Sequence, residues 1–302
     1  MKKVIVTGAT GFIGRHALKT LLEQGFEVHA LTSQTLPTDA YGCIWHPANL
    51  LDFTQIKQLI TEIKASHLLH FAWYAVPGKY WTAEENFLWV QASLELLKWF
   101  QRSGGERVVM AGTCAEYDWQ YGYCSETITP TNPSTPYGIC KLSLQQLVQS
   151  YSELMGISSA WGRIFWLYGC HEYSQRLVPS VICSLLKGQV AKCSHGNQIR
   201  DFLYVQDVAD AFVALLSSDI RGCVNIASGK AIVIKDIIFT IADYIRRQDL
   251  IQLGAIPKSS GEAPLVVANI NRLSNEVGWE PKFNLDISLK ETVNWWEKQI
   301  NS

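Results

Sequence analysis

Along the first half of the chain, short apolar runs alternate with longer segments whose apolar positions recur every three or four residues. The runs are Lys3-Val-Ile-Val-Thr7, Glu27-Val-His-Ala-Leu-Thr-Ser33, a third ending near Pro47, His67-Leu-Leu-His-Phe71-Ala72, Arg107-Val-Val-Met-Ala-Gly-Thr113 and Ser158 to Phe165. Bounded by glycine, proline and polar residues, they predict buried strands. The helically periodic segments predict helices over 12–24, stopped by Gly25, and over 54–64, 84–103 and 136–155. Strand and helix in strict alternation predict an α/β fold, a doubly wound parallel sheet over residues 1–165. Beyond 165 the alternation loosens, which predicts a smaller α/β lobe over 166–302. The two are expected to interleave, with 200–227 returning to the large domain because Phe202-Leu-Tyr-Val and 208–216 read as another strand and helix of its sheet.

Composition removes several function classes. The 302 residues are 48% hydrophobic, enough for a sizeable core, and the formal net charge of -1 gives no electrostatic case for nucleic acid or a membrane as partner. Small anionic ligands need only local positive charge and stay open. The apolar start ends at Gly8, short of a signal core, and no apolar segment approaches the ~20 residues that span a bilayer. The expected compartment is cytoplasmic. Cysteines 43, 114, 124, 140, 170, 183, 193 and 223 are scattered and form no Cys-x-x-Cys pair, so reduced thiols are expected, with no metal and no disulfide framework.

Chemistry enters at the turn after the first strand, Thr7-Gly-Ala-Thr-Gly-Phe-Ile-Gly14. Gly8 lets the backbone leave the strand, Gly11 lets it approach a pyrophosphate, and Gly14 lets the helix pack on the sheet. The unpaired amides of the first helical turn then point at the anion. Further along, Thr113 ends a strand, and Tyr137 and Lys141 stand one turn apart on the helix that Pro136 opens. A phenol titrating at about 10 is too weak an acid/base group near neutrality, and a neighbouring ammonium is expected to lower it.

The Gly-x-x-Gly-x-x-Gly spacing, Thr113, Tyr137-x-x-x-Lys141 and the run Gly196-Asn-Gln-Ile-Arg200-Asp-Phe-Leu-Tyr-Val-Gln-Asp207 together resemble the extended short-chain dehydrogenase/reductase family, in its nucleotide-sugar epimerase, dehydratase and reductase group. The resemblance implies a Rossmann-like sheet with a smaller nucleotide-sugar-binding lobe. It implies a nicotinamide dinucleotide held by Gly8, Gly11, Phe12, Ile13, Gly14, Arg15, Thr32, Ser33, Asn49, Leu50, Phe71, Ala72, Tyr137 and Lys141. Thr32 stands where an acidic residue would take the ribose hydroxyls, which favours NADP and leaves NAD possible. The implied catalytic set is Thr113 to hold the substrate oxygen, Tyr137 to exchange its proton, and Lys141. The implied substrate contacts are Thr113, Trp166, Arg176, Val178 and Arg200, the last on the diphosphate.

Departures from the family pattern narrow the reaction. Family dehydratases carry Asp-Glu after the hydroxyl residue, and here Cys114-Ala115 follows, which disfavours dehydration. Cys114 lies one position before the catalytic cysteine of some relatives, so a structural thiol is expected. Trp89 and Trp166 replace asparagines, Cys170 replaces a proline, and Gly261-Glu-Ala-Pro264 resembles the late substrate loop without its arginine. His70 is expected to be a core residue, and the aromatic stretch 73–81 a loop over the site. The expected function is NAD(P)-dependent reduction of a 4-keto group on a nucleotide-linked deoxysugar, with Tyr137 as proton donor. A C4-epimerase with retained NAD is the alternative, and a non-catalytic NADP-binding sensor the third reading. Relatives pack the helices at 84–103 and 136–155 into a four-helix bundle, so a homodimer is expected.

Overall fold

The computed structural model describes residues 1–36, 42–257 and 261–301. Five strands open the chain's central sheet: β1 (Lys3–Thr7), β2 (Glu27–Thr32), β3 (Ile44–Pro47), β4 (His67–His70) and β5 (Arg107–Thr113). Two more follow at Ser158–Ile164 and Gly222–Ile226. All pair in parallel, in the spatial order Gly222–Ile226, Ser158–Ile164, β5, β4, β1, β2, β3. The chain winds outward from β1 in one direction and then from β4 in the other. That reversal opens a crevice beyond the carboxyl ends of β1 and β4, where such sheets bind ligands.

The helices are α1 (Gly14–Glu23), α2 (Phe53–Ile63), α3 (Glu85–Arg102), α4 (Pro136–Met155), α5 (Leu177–Leu186), α6 (Val205–Ser217), α7 (Ile234–Ile245) and α8 (Leu285–Asn301). Successive side chains of a strand point to opposite faces, so β1 serves two cores. Val4 and Val6 pack with Ala17, Leu18 and Leu21 of α1 and with Phe212 of α6. Ile5 packs on the other face with Ile56 and Ile60 of α2, Leu96 and Phe100 of α3, and Leu144 of α4. Local signals fix the helix starts nearest the site. Asp52 accepts from the amides of Thr54 and Gln55 to cap α2, and Thr135 caps α4 ahead of Pro136.

One expected sheet strand is placed elsewhere. Phe202–Tyr204 does not join the central sheet; it pairs in parallel with Trp166–Tyr168. Phe202 and Tyr204 are buried with Tyr168 among α5, α7 and α8, and that aromatic packing draws the strand away from the sheet edge, which Gly222–Ile226 occupies instead. The helix α6 that follows packs on α1 and the sheet.

Candidate active site

The crevice begins at the turn after β1. Gly8 has φ +65°, and a Cβ there would meet the Ala72 amide nitrogen at 2.9 Å, so the turn and the end of β4 approach as only glycine allows. A Cβ on Gly14 would fall 2.2 Å from the Gly8 carbonyl oxygen, which sets how tightly α1 closes on the turn. Ile13 gives α1 no side-chain cap and its first turn has no acidic residue. No side chain takes the first-turn amides; those of Arg15 and His16 reach the carbonyls of Gly11 and Ile13, and the helix dipole with the glycine turn makes a cradle that fits a dinucleotide pyrophosphate.

The other predicted cofactor residues lie around this turn. Arg15 donates from Nη2 to the Thr10 carbonyl at 2.6 Å and from Nε to the Gly11 carbonyl at 3.3 Å, bracing the turn from its helix. The Thr32 hydroxyl, buried at the end of β2, hydrogen-bonds the Thr10 hydroxyl at 2.8 Å and accepts from the Gln34 amide. Ser33 and Asn49 are exposed, Leu50 is buried in the α2 core, and Phe12 and Ile13 pack toward the smaller lobe. Phe71 packs edge-on against Phe212, and the Ala72 amide donates to the Thr7 hydroxyl. His70 bonds Thr7 through Nδ1 at 2.6 Å and Ser93 through Nε2 at 2.9 Å. Burial brings its imidazole down to about 3, so His70 is a neutral core residue.

Thr113 ends β5 and starts a one-turn helix, Cys114–Glu116. Its hydroxyl accepts from the Ala115 amide at 3.2 Å, while its own amide donates to Glu116 Oε1 at 2.9 Å. Glu116 is wholly buried and also accepts from Trp161 Nε1 at 2.9 Å and Arg163 Nε at 2.7 Å. Thr113 is thus locked to the neighbouring strand by a buried ion pair. Tyr137 sits in the first turn of α4, its amide donating to the Trp81 carbonyl at 3.1 Å, with the Thr113 side chain near enough to its phenol to favour ionisation. The Tyr80 and Trp81 rings meet it edge-on at 4.8 and 5.7 Å.

Lys141 corrects an expectation. Its ammonium donates to the Ala111 carbonyl at 2.9 Å and lies 3.6 Å from the centre of the Trp73 ring, turned to β5 and the loop instead of toward the phenol. Burial, with the neighbouring Tyr80 adding to it, pushes the Tyr137 phenol well above its ordinary value, and Thr113 only partly opposes this. Burial also brings Lys141 down to about 7, against the pull of Glu116. A lysine lowered on folding penalises the fold most below pH 7, and the penalty fades as pH rises toward the unfolded value near 10.4. Lys141→Met is expected to melt higher than the native chain at pH 7, with the gap narrowing toward pH 10; a constant gap would contradict the assignment.

A cleft of about 600 Å³ opens beside these residues, lined by Trp81, Ala115, Tyr117, Trp119, Asn132, Thr135 and residues 261–265 among others. Trp166 lies between Trp119, at 5.7 Å, and the Arg200 guanidinium, at 4.9 Å. Arg200 is buried, donates to the carbonyls of Ala263 and Ile199, and pairs with Glu262 at 3.4 Å. Neither Asp201 nor Asp207 is its partner. Asp201 accepts from Ser228, Gly229 and Ala268, and Asp207 from the amides of Lys282 and Phe283. The Arg176 guanidinium lies 5.2 Å over the Tyr80 ring. Val178 is 2% exposed within the lobe's core, so its side chain is outside the cleft; the apolar face of α5 takes it inward. Burial holds the Cys114 thiol well above its ordinary range, and Trp119 Nε1 donates to its carbonyl, which makes Cys114 structural.

The sequence profile of the NAD dependent epimerase/dehydratase family matches residues 4–227. The chain belongs to that family. It is 25% identical to a UDP-glucose 4-epimerase of Halalkalibacterium halodurans, covering 97% of this chain and 95% of the relative. It is 26% identical to a dTDP-D-glucose 4,6-dehydratase of Mus musculus, covering 100% and 90%. Among solved structures, MoeE5 in complex with UDP-glucose and NAD superposes with a TM-score of 0.86 at 26% identity, covering 99% of each chain. The nucleotide-sugar group of extended short-chain dehydrogenase/reductases is therefore the right frame, and the chain is an NAD-dependent enzyme family member with the Rossmann-type sheet.

Within that family the site has parts the motifs did not reveal. Glu116 is one, although Thr113 followed three residues later by Glu is a capping-box signature. Asn86 is another: wholly buried, it accepts from Trp73 Nε1 at 2.9 Å and donates to the carbonyls of Tyr80 and Ala83, fastening the aromatic loop to α3. A lone asparagine in a polar helix start gives no such signal. Among the described residues no group of three or more His, Cys, Asp or Glu could hold a metal ion, and no helix is long and apolar enough to cross a membrane.

Proposed function

We propose that this chain reduces a 4-keto group on a nucleotide-linked deoxysugar. The observation that carries the reading is the state of Tyr137. Its half-buried ring meets those of Tyr80 and Trp81 edge-on, desolvation outweighs the lowering by Thr113, and the Lys141 ammonium is turned away, so the phenol rests as a protonated acid. A proton donor is what a carbonyl needs as its oxygen becomes an alkoxide; abstraction from an alcohol would need the phenolate. Thr113 holds the substrate oxygen within reach of Tyr137, and Lys141 holds the nicotinamide ribose. The dinucleotide, when bound, supplies the hydride for the sugar carbon. The aromatic walls Trp81 and Trp119, the latter backed by Trp166, exclude water and hold the sugar against them. Dehydration is disfavoured, because the carboxylate nearest Thr113 in sequence, Glu116, is committed to Arg163 and Trp161 and is wholly buried.

NADPH is the proposed reductant. Thr32 at the end of β2, bonded to Thr10 of the glycine turn, offers a hydroxyl where a carboxylate would repel a 2'-phosphate, and exposed Ser33 follows. Thr32→Asp is expected to weaken NADPH binding roughly tenfold or more while sparing NADH, read by nicotinamide fluorescence titration. Equal loss for both cofactors would place the 2'-phosphate elsewhere. Arg176, beside Tyr80, is proposed to contact the sugar end of the substrate. Arg200 would contact the diphosphate only by giving up Glu262.

We further propose a homodimer through α3 and α4, which expose Phe87, Leu88, Ile139, Leu147 and Leu154. Sedimentation at micromolar concentration tests it, and a monomer mass would remove it. Incubating a nucleotide 4-keto-6-deoxysugar with NADPH tests the reaction. Loss of NADPH with appearance of the 4-hydroxy sugar supports it, and interconversion of two 4-hydroxy sugars would instead support a C4-epimerase.

A further inference from the structure

Lys141 is 4% exposed, and a buried ammonium needs partners for its charge and its three N–H donors. One partner is the Ala111 carbonyl, at 2.9 Å. The titratable groups whose charges act on it come from the turn after β5 and from β4. Glu116, on that turn, favours the ammonium but is already paired with Arg163, and His70, on β4, is neutral. Tyr137, one turn away on α4, rests as a neutral phenol. The remaining close contact is the Trp73 ring, 3.6 Å from Nζ to its centre, with Trp161 more distant at 5.9 Å. The indole face is negative, and away from water its attraction for a cation is at its strongest.

Trp73 is also fixed in place. It directly follows Ala72 at the dinucleotide end of β4, and its Nε1 donates to wholly buried Asn86 at 2.9 Å. Asn86 in turn donates to the carbonyls of Tyr80, at 2.7 Å, and Ala83, at 2.9 Å. The indole is therefore held over Lys141 by the same amide that secures the loop bearing Tyr80 and Trp81.

We propose that the π face of Trp73 keeps the buried Lys141 side chain in its ammonium form, aimed at the dinucleotide edge of the sheet, so that Trp73 is a positioning residue acting through Lys141. The inference rests on the role given to Lys141 in the proposed reaction. In the native chain it sets Lys141 above the value that burial alone would give.

The test is a pH titration of the whole protein labelled with carbon-13 lysine, following the Cε resonance that disappears in Lys141→Met. Trp73→Leu removes the π face and is expected to lower the Lys141 midpoint by about one pKa unit. Trp73→Phe keeps a smaller, weaker π face and loses the bond to Asn86, and its midpoint is expected to fall by clearly less than that of Trp73→Leu. Circular dichroism and melting show that each variant is folded. An unchanged midpoint in Trp73→Leu would overturn the proposal, as would an equal fall in Trp73→Phe, which would assign the effect to the Asn86 bond. The titration needs no sugar, so absence of turnover would count against the proposed reaction and not against Trp73.

Discussion

Tyr137→Phe is expected to lower kcat for reduction of a nucleotide 4-keto-sugar by roughly 10²–10⁴-fold, the span that a positioned general acid contributes. Dinucleotide affinity should change little. The phenyl ring keeps the edge-on contacts with Tyr80 and Trp81, and the backbone amide keeps its bond to Trp81, so the loss isolates one proton. Since burial holds the phenol above its ordinary value, Tyr137 stays a competent acid from pH 6 through 9, and its own limb in the reductive direction falls only above about 10. Any fall nearer 7 belongs to Lys141 and should vanish from the cofactor-binding profile in Lys141→Met. Steady-state kinetics across that range checks both. A variant retaining a tenth or more of native kcat would mean that another group delivers the proton.

Glu116→Ala should produce the largest loss of stability, about 3–5 kcal/mol, because it leaves the Arg163 guanidinium buried without its partner. The same change orphans Trp161 Nε1 and the Thr113 amide. Urea denaturation, compared at equal slope, reads the difference. Activity of the residual folded protein should also fall, since Thr113 loses the cap that fixes its hydroxyl beside Tyr137. A change under about 1 kcal/mol would contradict a buried pair at this position.

Much of the architecture was legible because period and punctuation agree. Gly8, Gly11 and Gly14 between an apolar run and a helical segment lead to β1, the turn and α1, and Pro136 after Thr135 marks where α4 starts. Thr113 and Tyr137 were legible as a pair only through the family pattern, and the fold sets Tyr137 near enough to Thr113 for that side chain to act on its phenol. What failed was set by long-range packing. The alternation in Phe202-Leu-Tyr is the same for a sheet strand and for a two-stranded ribbon, and burial against Tyr168 and α5 decides between them. The spacing of Tyr137 and Lys141 puts them on one helix face, but the direction of the ammonium depends on Ala111, 30 residues away, and on Trp73. Arg200 carries no mark in sequence that Glu262 would hold it.

The most direct test of the reductive reading is a single turnover with NADPH deuterated at the transferring position and a nucleotide 4-keto-6-deoxysugar, analysed by mass and NMR. The account predicts one deuterium at C4 of the product for each NADPH consumed, with no exchange into the remaining substrate. Product formed without net consumption of NADPH, or two C4 stereoisomers in equilibrium, would contradict it and show an epimerase.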